Sequence, residues 1–141
     1  MRADIWQSWG MKVILLILWA MMPLPATAQS TMSAAEFDAY TQGKTLFYGT
    51  RSAPYGAEVY LPNRRVRWSF LDGKCKEGEW YEDAGLICFV YEDNPEPQCW
   101  SFEEGNGGLI AQFENDPEAI ALYEVEDRGE EMLCLGPEIG V

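Results

Sequence analysis

From Thr45 to Phe113 the chain reads as a series of short β-strands separated by turn residues. Within residues 65–70, apolar Val, Trp and Phe alternate with Arg, Arg and Ser, which gives that strand one apolar and one polar face. The predicted strands are 45–48, 57–61, 66–70, 79–81, 86–91, 99–102 and 109–113. The predicted turns are 62–63, 72–73, 83–85, 93–97 and 105–108. Short strands with turns about every ten residues are typical of a mainly-β meander, a small antiparallel barrel or sandwich.

A short N-terminal helix is predicted before the first strand. Ser33 and Glu36 have the spacing of a capping box, in which each side chain accepts a hydrogen bond from the other residue's backbone N–H. Gly43 can end the helix, so we expect it over residues 34–42.

The C-terminal part permits two interpretations. Asp116 followed by Pro117 is typical of a helix start, yet residues 120–125 also suit a strand. We expect a strand preceded by a helical turn, and a final strand over residues 132–135.

Residues 1–28 have the features of an export signal. Basic residues precede the apolar run 13–22, prolines follow it, and Ala26-Thr27-Ala28 is a cleavage motif. A run of about ten apolar residues is half of what a membrane-spanning helix needs. We therefore expect cleavage after Ala28 and no stable membrane span afterwards.

Cleavage would leave residues 29–141 as a single β-domain in the periplasm or secreted from the cell. Met11 opens a second, shorter leader and is an alternative start. With no cysteine at the cleavage site, a lipid-anchored form is not expected.

All four cysteines lie after the leader, at Cys75, Cys88, Cys99 and Cys134. An even number of cysteines in an exported chain of this size indicates two disulfides. We favour Cys88–Cys99, because these residues lie on two predicted strands joined by a short turn, and Cys75–Cys134 then follows. The other two pairings stay open. A hairpin symmetric about Pro95 would place Cys88 and Cys99 on opposite faces, so this pairing needs a β-bulge.

Charge and composition exclude several classes of function. The chain has a net charge of −13 and no histidine. An acidic surface repels phosphate backbones, so no nucleic-acid partner is expected. Without histidine there is no imidazole metal site and no histidine-dependent hydrolytic triad. Acidic pairs such as Glu103-Glu104 are interpreted as solvent-exposed surface residues. We therefore expect no enzyme activity, no cofactor and no metal.

Two groups of side chains are candidates for ligand binding. Trp68, Trp80 and Trp100 could line a cavity in a barrel, or they could simply fill its core. Arg65 and Arg67 could hold an anionic group, or they could pair with carboxylates on the outer face.

A pattern of Gly, Trp and Cys runs through the domain in Gly43-Lys44-Thr45-Leu46, Gly56 to Leu61, Cys75 with Gly78-Glu79-Trp80, Cys88 with Tyr91, and Cys99-Trp100. Over about residues 40–115 this pattern resembles a family of small exported alphaproteobacterial proteins of unknown function. The resemblance implies a cross-linked β-domain and carries no catalytic residue. Through Gly78-x-Trp80 the chain also resembles, more loosely, lipocalin-like barrels and exported bacterial inhibitor barrels.

Two functions are compatible with these features. The first is a non-catalytic exported binding or envelope-associated protein with an unknown protein partner. The alternative is a carrier of a small apolar ligand, held in a β-barrel cavity lined by the tryptophans.

Overall fold

Eight antiparallel strands close into a barrel in the computed structural model, which describes residues 30–127 and 132–135. Each strand pairs with the next along the chain, and the last pairs with the first. The strands are β1 (Thr45–Gly49), β2 (Pro54–Tyr60), β3 (Arg65–Ser69), β4 (Lys76–Asp83), β5 (Leu86–Tyr91), β6 (Asn94–Gly105), β7 (Gly108–Phe113) and β8 (Leu122–Val125). The predicted mainly-β antiparallel fold is confirmed, and of the two predicted architectures, barrel or sandwich, the structure is the barrel. The expected leader, residues 1–28, lies outside the described residues.

Tight turns set the register of the hairpins. The β4–β5 loop has two residues, Ala84 at φ 50° and Gly85 at φ 81°. A positive φ at both loop residues is typical of a type I′ turn, whose twist matches that of the flanking strands. The turn predicted at 83–85 is therefore confirmed.

The predicted helix is confirmed as α1 (Ala34–Thr41), which begins at the capping box. The backbone N–H of Ser33 donates to Glu36 Oε2 at 2.8 Å, and the N–H of Glu36 donates to Ser33 Oγ at 3.3 Å. Phe37 is fully buried and packs edge-on against the rings of Tyr60 and Trp80. The helix therefore closes the end of the barrel at which β2 and β4 finish.

Tyr40 fastens the same helix to the barrel wall. Its hydroxyl donates to Glu124 Oε2 at 2.8 Å, and the same oxygen accepts from the Leu109 backbone N–H. Burial, followed by the hydrogen bond and negative charge of Glu124, raises the pKa of Tyr40 to about 12. The phenol therefore stays protonated and keeps this link at neutral pH.

Both favoured disulfides are present. Cys88 and Cys99 are directly opposite each other on β5 and β6, with their Cα atoms 4.0 Å apart. The register of this pair of strands shifts between Phe89 and Tyr91, since Tyr91 pairs with Asn94 and Phe89 with Gln98, and this shift brings Cys99 opposite Cys88.

The turn predicted over residues 93–97 is wrong. The chain reverses at Glu92-Asp93, and residues 94–97 already belong to β6. Prolines are tolerated there because the register shift leaves this stretch outside the regular hydrogen-bond ladder.

The C-terminal part differs from prediction in one respect. A turn after Asp116 and then β8 match the expected helical turn and strand. Residues 132–135, however, are irregular and form no strand. They are held by the Cys75–Cys134 disulfide and by a hydrogen bond from the Leu135 N–H to the Gly73 carbonyl at 2.9 Å. This backbone hydrogen bond and the disulfide hold the segment in place without the hydrogen-bond ladder of a β-strand.

Within the described part of the chain, no helix is long and apolar enough to cross a membrane.

Candidate functional site

A cavity of about 100 Å³ lies in the barrel at the end opposite helix α1. Aromatic rings make up most of its wall, and they include Tyr48, Tyr60, Trp68, Phe89, Tyr91 and Trp100. At its rim, Tyr55 and Phe70 remain 43% and 49% exposed. Their ring centroids are 5.7 Å apart, so the rim presents an aromatic surface to solvent.

The cavity wall also contains a buried acid. Glu58 lies on β2, only 2% exposed, and the Tyr91 hydroxyl is 3.2 Å from each of its carboxylate oxygens. Burial raises the pKa of Glu58 well above its usual value, while the Tyr91 hydrogen bond and the charge of Lys76 act in the opposite direction. A buried carboxyl with one shared donor is costly unless a further partner satisfies it.

Two other tyrosines hold each other in place beside this acid. The hydroxyls of Tyr48 and Tyr60 are 2.7 Å apart and fully buried. Burial raises the pKa of Tyr60 well above its usual value, and nearby Tyr48 and Glu58 add to the effect. Both phenols are therefore neutral, and they supply polar groups on an otherwise apolar wall.

Lys76 contributes a cation at the rim. Its Nζ lies 5.2 Å from the ring centroid of Phe70 and 5.3 Å from that of Tyr91. The same Nζ is 3.2 Å from Asp93 Oδ2. The rim therefore already accommodates one ammonium group between aromatic rings and a carboxylate.

Two glycines make room for the aromatic wall. A Cβ at Gly56 would lie 2.2 Å from Trp68 Cζ2, and one at Gly78 would lie 2.7 Å from Tyr91 Cδ1. Neither contact is sterically possible, so both rings depend on a bare backbone on the neighbouring strand. These glycines belong to the pattern that the sequence displays, and their role is to seat the cavity's side chains.

The predicted tryptophans separate into two groups. Trp68 and Trp100 line the cavity. Trp80 lies at the opposite end of the barrel, 5.2 Å from the Phe37 ring and beneath the guanidinium of Arg64 at 4.4 Å.

The two predicted arginines lie away from the cavity. Arg67 Nε donates to Glu77 Oε1 at 2.5 Å, and Arg65 is 3.7 Å from the same carboxylate. Both are solvent-accessible on the outer wall, where such ion pairs contribute about 0–1 kcal/mol.

Sequence reasoning missed Glu58, Tyr91 and Lys76 as parts of one site. The available signal was an acid within the predicted strand 57–61, two residues before a tyrosine on the same face. Alternation alone cannot say which face of that strand is inside.

In the ranges 30–127 and 132–135, no group of three or more acidic, cysteine or histidine residues could hold a metal ion. The arrangement that is present can enclose a small molecule, stack on it and offer it one carboxyl group. Comparisons with protein-family models, with curated proteins and with solved structures find no match.

Proposed function

We propose that this chain is an exported, non-catalytic protein that binds a small, largely apolar ligand inside its barrel. The observation that carries the proposal is the aromatic cavity opposite helix α1, with a buried carboxyl in its wall. Small-molecule sites are typically concave, mostly apolar and equipped with a few placed polar groups.

The size of the cavity limits the ligand. A cavity needs about 10–15 Å³ to hold one group of the size of a water molecule. A cavity of about 100 Å³ therefore holds roughly seven to ten such groups. A single ring with a short substituent meets this limit, and a long acyl chain does not.

Export is supported by the leader-like segment 1–28 and by the paired cysteines, since disulfides persist in oxidising compartments. The periplasm or the extracellular medium is therefore the proposed location. A protein partner, the first function considered from the sequence, stays a prediction.

Tryptophan fluorescence can test ligand binding, because only Trp68, Trp80 and Trp100 remain after cleavage at Ala28. The protein is recovered from the periplasm or medium, and its intact mass should correspond to a start at Gln29 with every cysteine bonded. Titration with 2-phenylethanol, a ring with a short polar tail, should then shift its emission.

Single substitutions identify the responding ring. Trp68→Phe and Trp100→Phe should each reduce the ligand-induced change, since both rings line the cavity. The matched control Trp80→Phe should leave that change intact, because Trp80 lies at the helix-covered end. A flat response across a panel of single-ring ligands contradicts the proposal.

A further inference from the structure

The carboxyl group of Glu58 is poorly satisfied for a buried acid. An ionised carboxylate has about four acceptor positions, and the Tyr91 hydroxyl supplies a single proton that its two oxygens share. Both oxygens therefore keep lone pairs for a donor that enters the cavity.

The walls around this acid favour a positive charge. Aromatic rings carry negative electrostatic potential on their faces, and an ammonium within about 6 Å of a ring centroid is attracted to it. Trp68, Tyr48 and Tyr91 all line the cavity that contains Glu58. A carboxyl group among aromatic rings matches the chemistry of an ammonium ion attached to an apolar group.

Lys76 provides an example of this recognition within the molecule. Its ammonium group lies over Phe70 and Tyr91 and pairs with Asp93 at 3.2 Å. Two aromatic faces and one carboxylate thus already hold a primary ammonium at the rim, and the same kinds of group are found deeper, around Glu58. Asp93 offsets part of the Lys76 charge, so Lys76 repels a second cation less than an unpaired ammonium would, although its charge still acts on Glu58.

We propose that the ligand is a small organic cation, a protonated amine on a single apolar ring, whose ammonium group pairs with Glu58. This inference rests on the proposed function, and it names the class of ligand. The net charge of −13 favours the approach of such cations from solution.

Binding should be coupled to proton release. The titratable and charged groups facing Glu58 are Tyr48 on β1, Tyr60 on β2, Lys76 on β4 and Tyr91 on β5. The cavity residues contributed by β6, β7 and β8 are uncharged. Burial raises the pKa of the Glu58 carboxyl, and a bound ammonium lowers it again, so the carboxyl passes its proton to the buffer on binding.

Three probes of nearly equal size separate the possible ligand charges. Phenethylammonium, 2-phenylethanol and phenylacetate are titrated into the exported protein by calorimetry at several pH values from 5 to 8. We expect phenethylammonium to bind about tenfold more tightly than 2-phenylethanol, since hydrogen bonds to charged groups are the stronger ones. In the pH range in which the free protein keeps the Glu58 proton, the heat of phenethylammonium binding should vary between buffers of different ionisation enthalpy, which measures the released proton.

Glu58→Gln tests the assigned group, because the amide keeps the size of the side chain and an oxygen for Tyr91. This variant should lose about tenfold in affinity for phenethylammonium and change by less than about twofold for 2-phenylethanol. The matched control Glu79→Gln, on an exposed position of β4, should bind all three probes as the parent does.

The outcomes distinguish the two proposals. Equal affinity for amine and alcohol, or tightest binding of phenylacetate, overturns the cation assignment and leaves the carrier function standing. Failure of all three probes to bind overturns both. If Glu58→Gln does not fold, the affinity of the parent for phenethylammonium should still rise with pH above 4.5, and a flat profile overturns the assignment.

Discussion

At the scale of single residues, alternation along the chain does not decide which face of the strand that contains Glu58 lies inside. In residues 57–61, Ala57, Val59 and Leu61 form one set, and Glu58 and Tyr60 form the other. The structure buries Glu58 and Tyr60, and it also buries Ala57, whereas Val59 is half-buried. The inner face is chosen by contacts with other strands, since Tyr60 meets Tyr48 and Glu58 meets Tyr91. Such long-range contacts are not visible in a single strand.

Glu58 should make the protein less stable as the pH rises. Its folded-state pKa is raised by burial, so between pH 4.5 and that higher pKa the folded state binds more protons than the unfolded state. The free energy of unfolding therefore falls as pH increases through this window, and the loss is complete above the folded-state pKa. Glu58→Gln removes this contribution.

Urea unfolding of the parent and of Glu58→Gln from pH 4 to pH 8 measures the effect. The difference in stability should move progressively in favour of the variant as pH rises, because other carboxylates titrate alike in both proteins. A difference that stays constant with pH would show that Glu58 has an ordinary pKa.

At the scale of elements, the position of helix α1 in the sequence was predictable, but its packing against the end of the barrel was not. The capping box depends only on Ser33 and Glu36, which are three positions apart, so it can be recognised from the sequence. Phe37 enters the end of the barrel because four aromatic rings that are distant from it in sequence meet there in the folded structure. Those rings are Tyr60, Trp80, Phe89 and Phe102.

Phe37→Ala should therefore reopen that end of the barrel. The side chain is fully buried, so its loss should lower the free energy of unfolding by about 3–5 kcal/mol. Chemical denaturation measures this directly. Ile120→Ala is the control, because Ile120 is 75% exposed and its loss should cost less than about 0.5 kcal/mol. Equal effects of the two substitutions would mean that Phe37 does not fill the barrel end.

The β5–β6 hairpin illustrates a second limit of sequence reasoning. The pairing of Cys88 with Cys99 could be inferred from spacing, together with the need for a bulge. The turn itself was placed too late in the chain, because Pro95 and Pro97 are ordinarily turn residues. Only the register shift between Phe89 and Tyr91 explains why they can lie within a strand.

At the scale of the whole molecule, the number and spacing of predicted strands indicated a barrel or a sandwich, but neither the closure of the sheet nor its cavity. Strand count restricts the architecture to a few closed or stacked sheets. Whether Trp68 and Trp100 fill the interior or surround a space depends on the bare backbone at Gly56 and Gly78 and on the volume left over. That volume is a property of all eight strands together.

The two disulfides should contribute unequally to stability. The chain-entropy model relates the effect to loop length, and the sequence separations are 59 for Cys75–Cys134 and 11 for Cys88–Cys99. Replacing the first pair by alanine should lower the free energy of unfolding by about 4 kcal/mol, and the second by about 3 kcal/mol. Guanidinium unfolding without reductant measures both double variants. A larger loss for Cys88→Ala/Cys99→Ala would contradict an entropic origin.

Phe37 fills the far end of the barrel, so under the proposed carrier function a ligand must leave by the way it entered. Exchange of occupants is then strictly sequential, with one molecule departing before its successor can arrive. A polymer cannot be threaded through, and only a chain terminus or a free small molecule can be accepted. On this proposal, we expect the residence time of the ligand to be controlled at the rim, by Tyr55, Phe70 and Lys76.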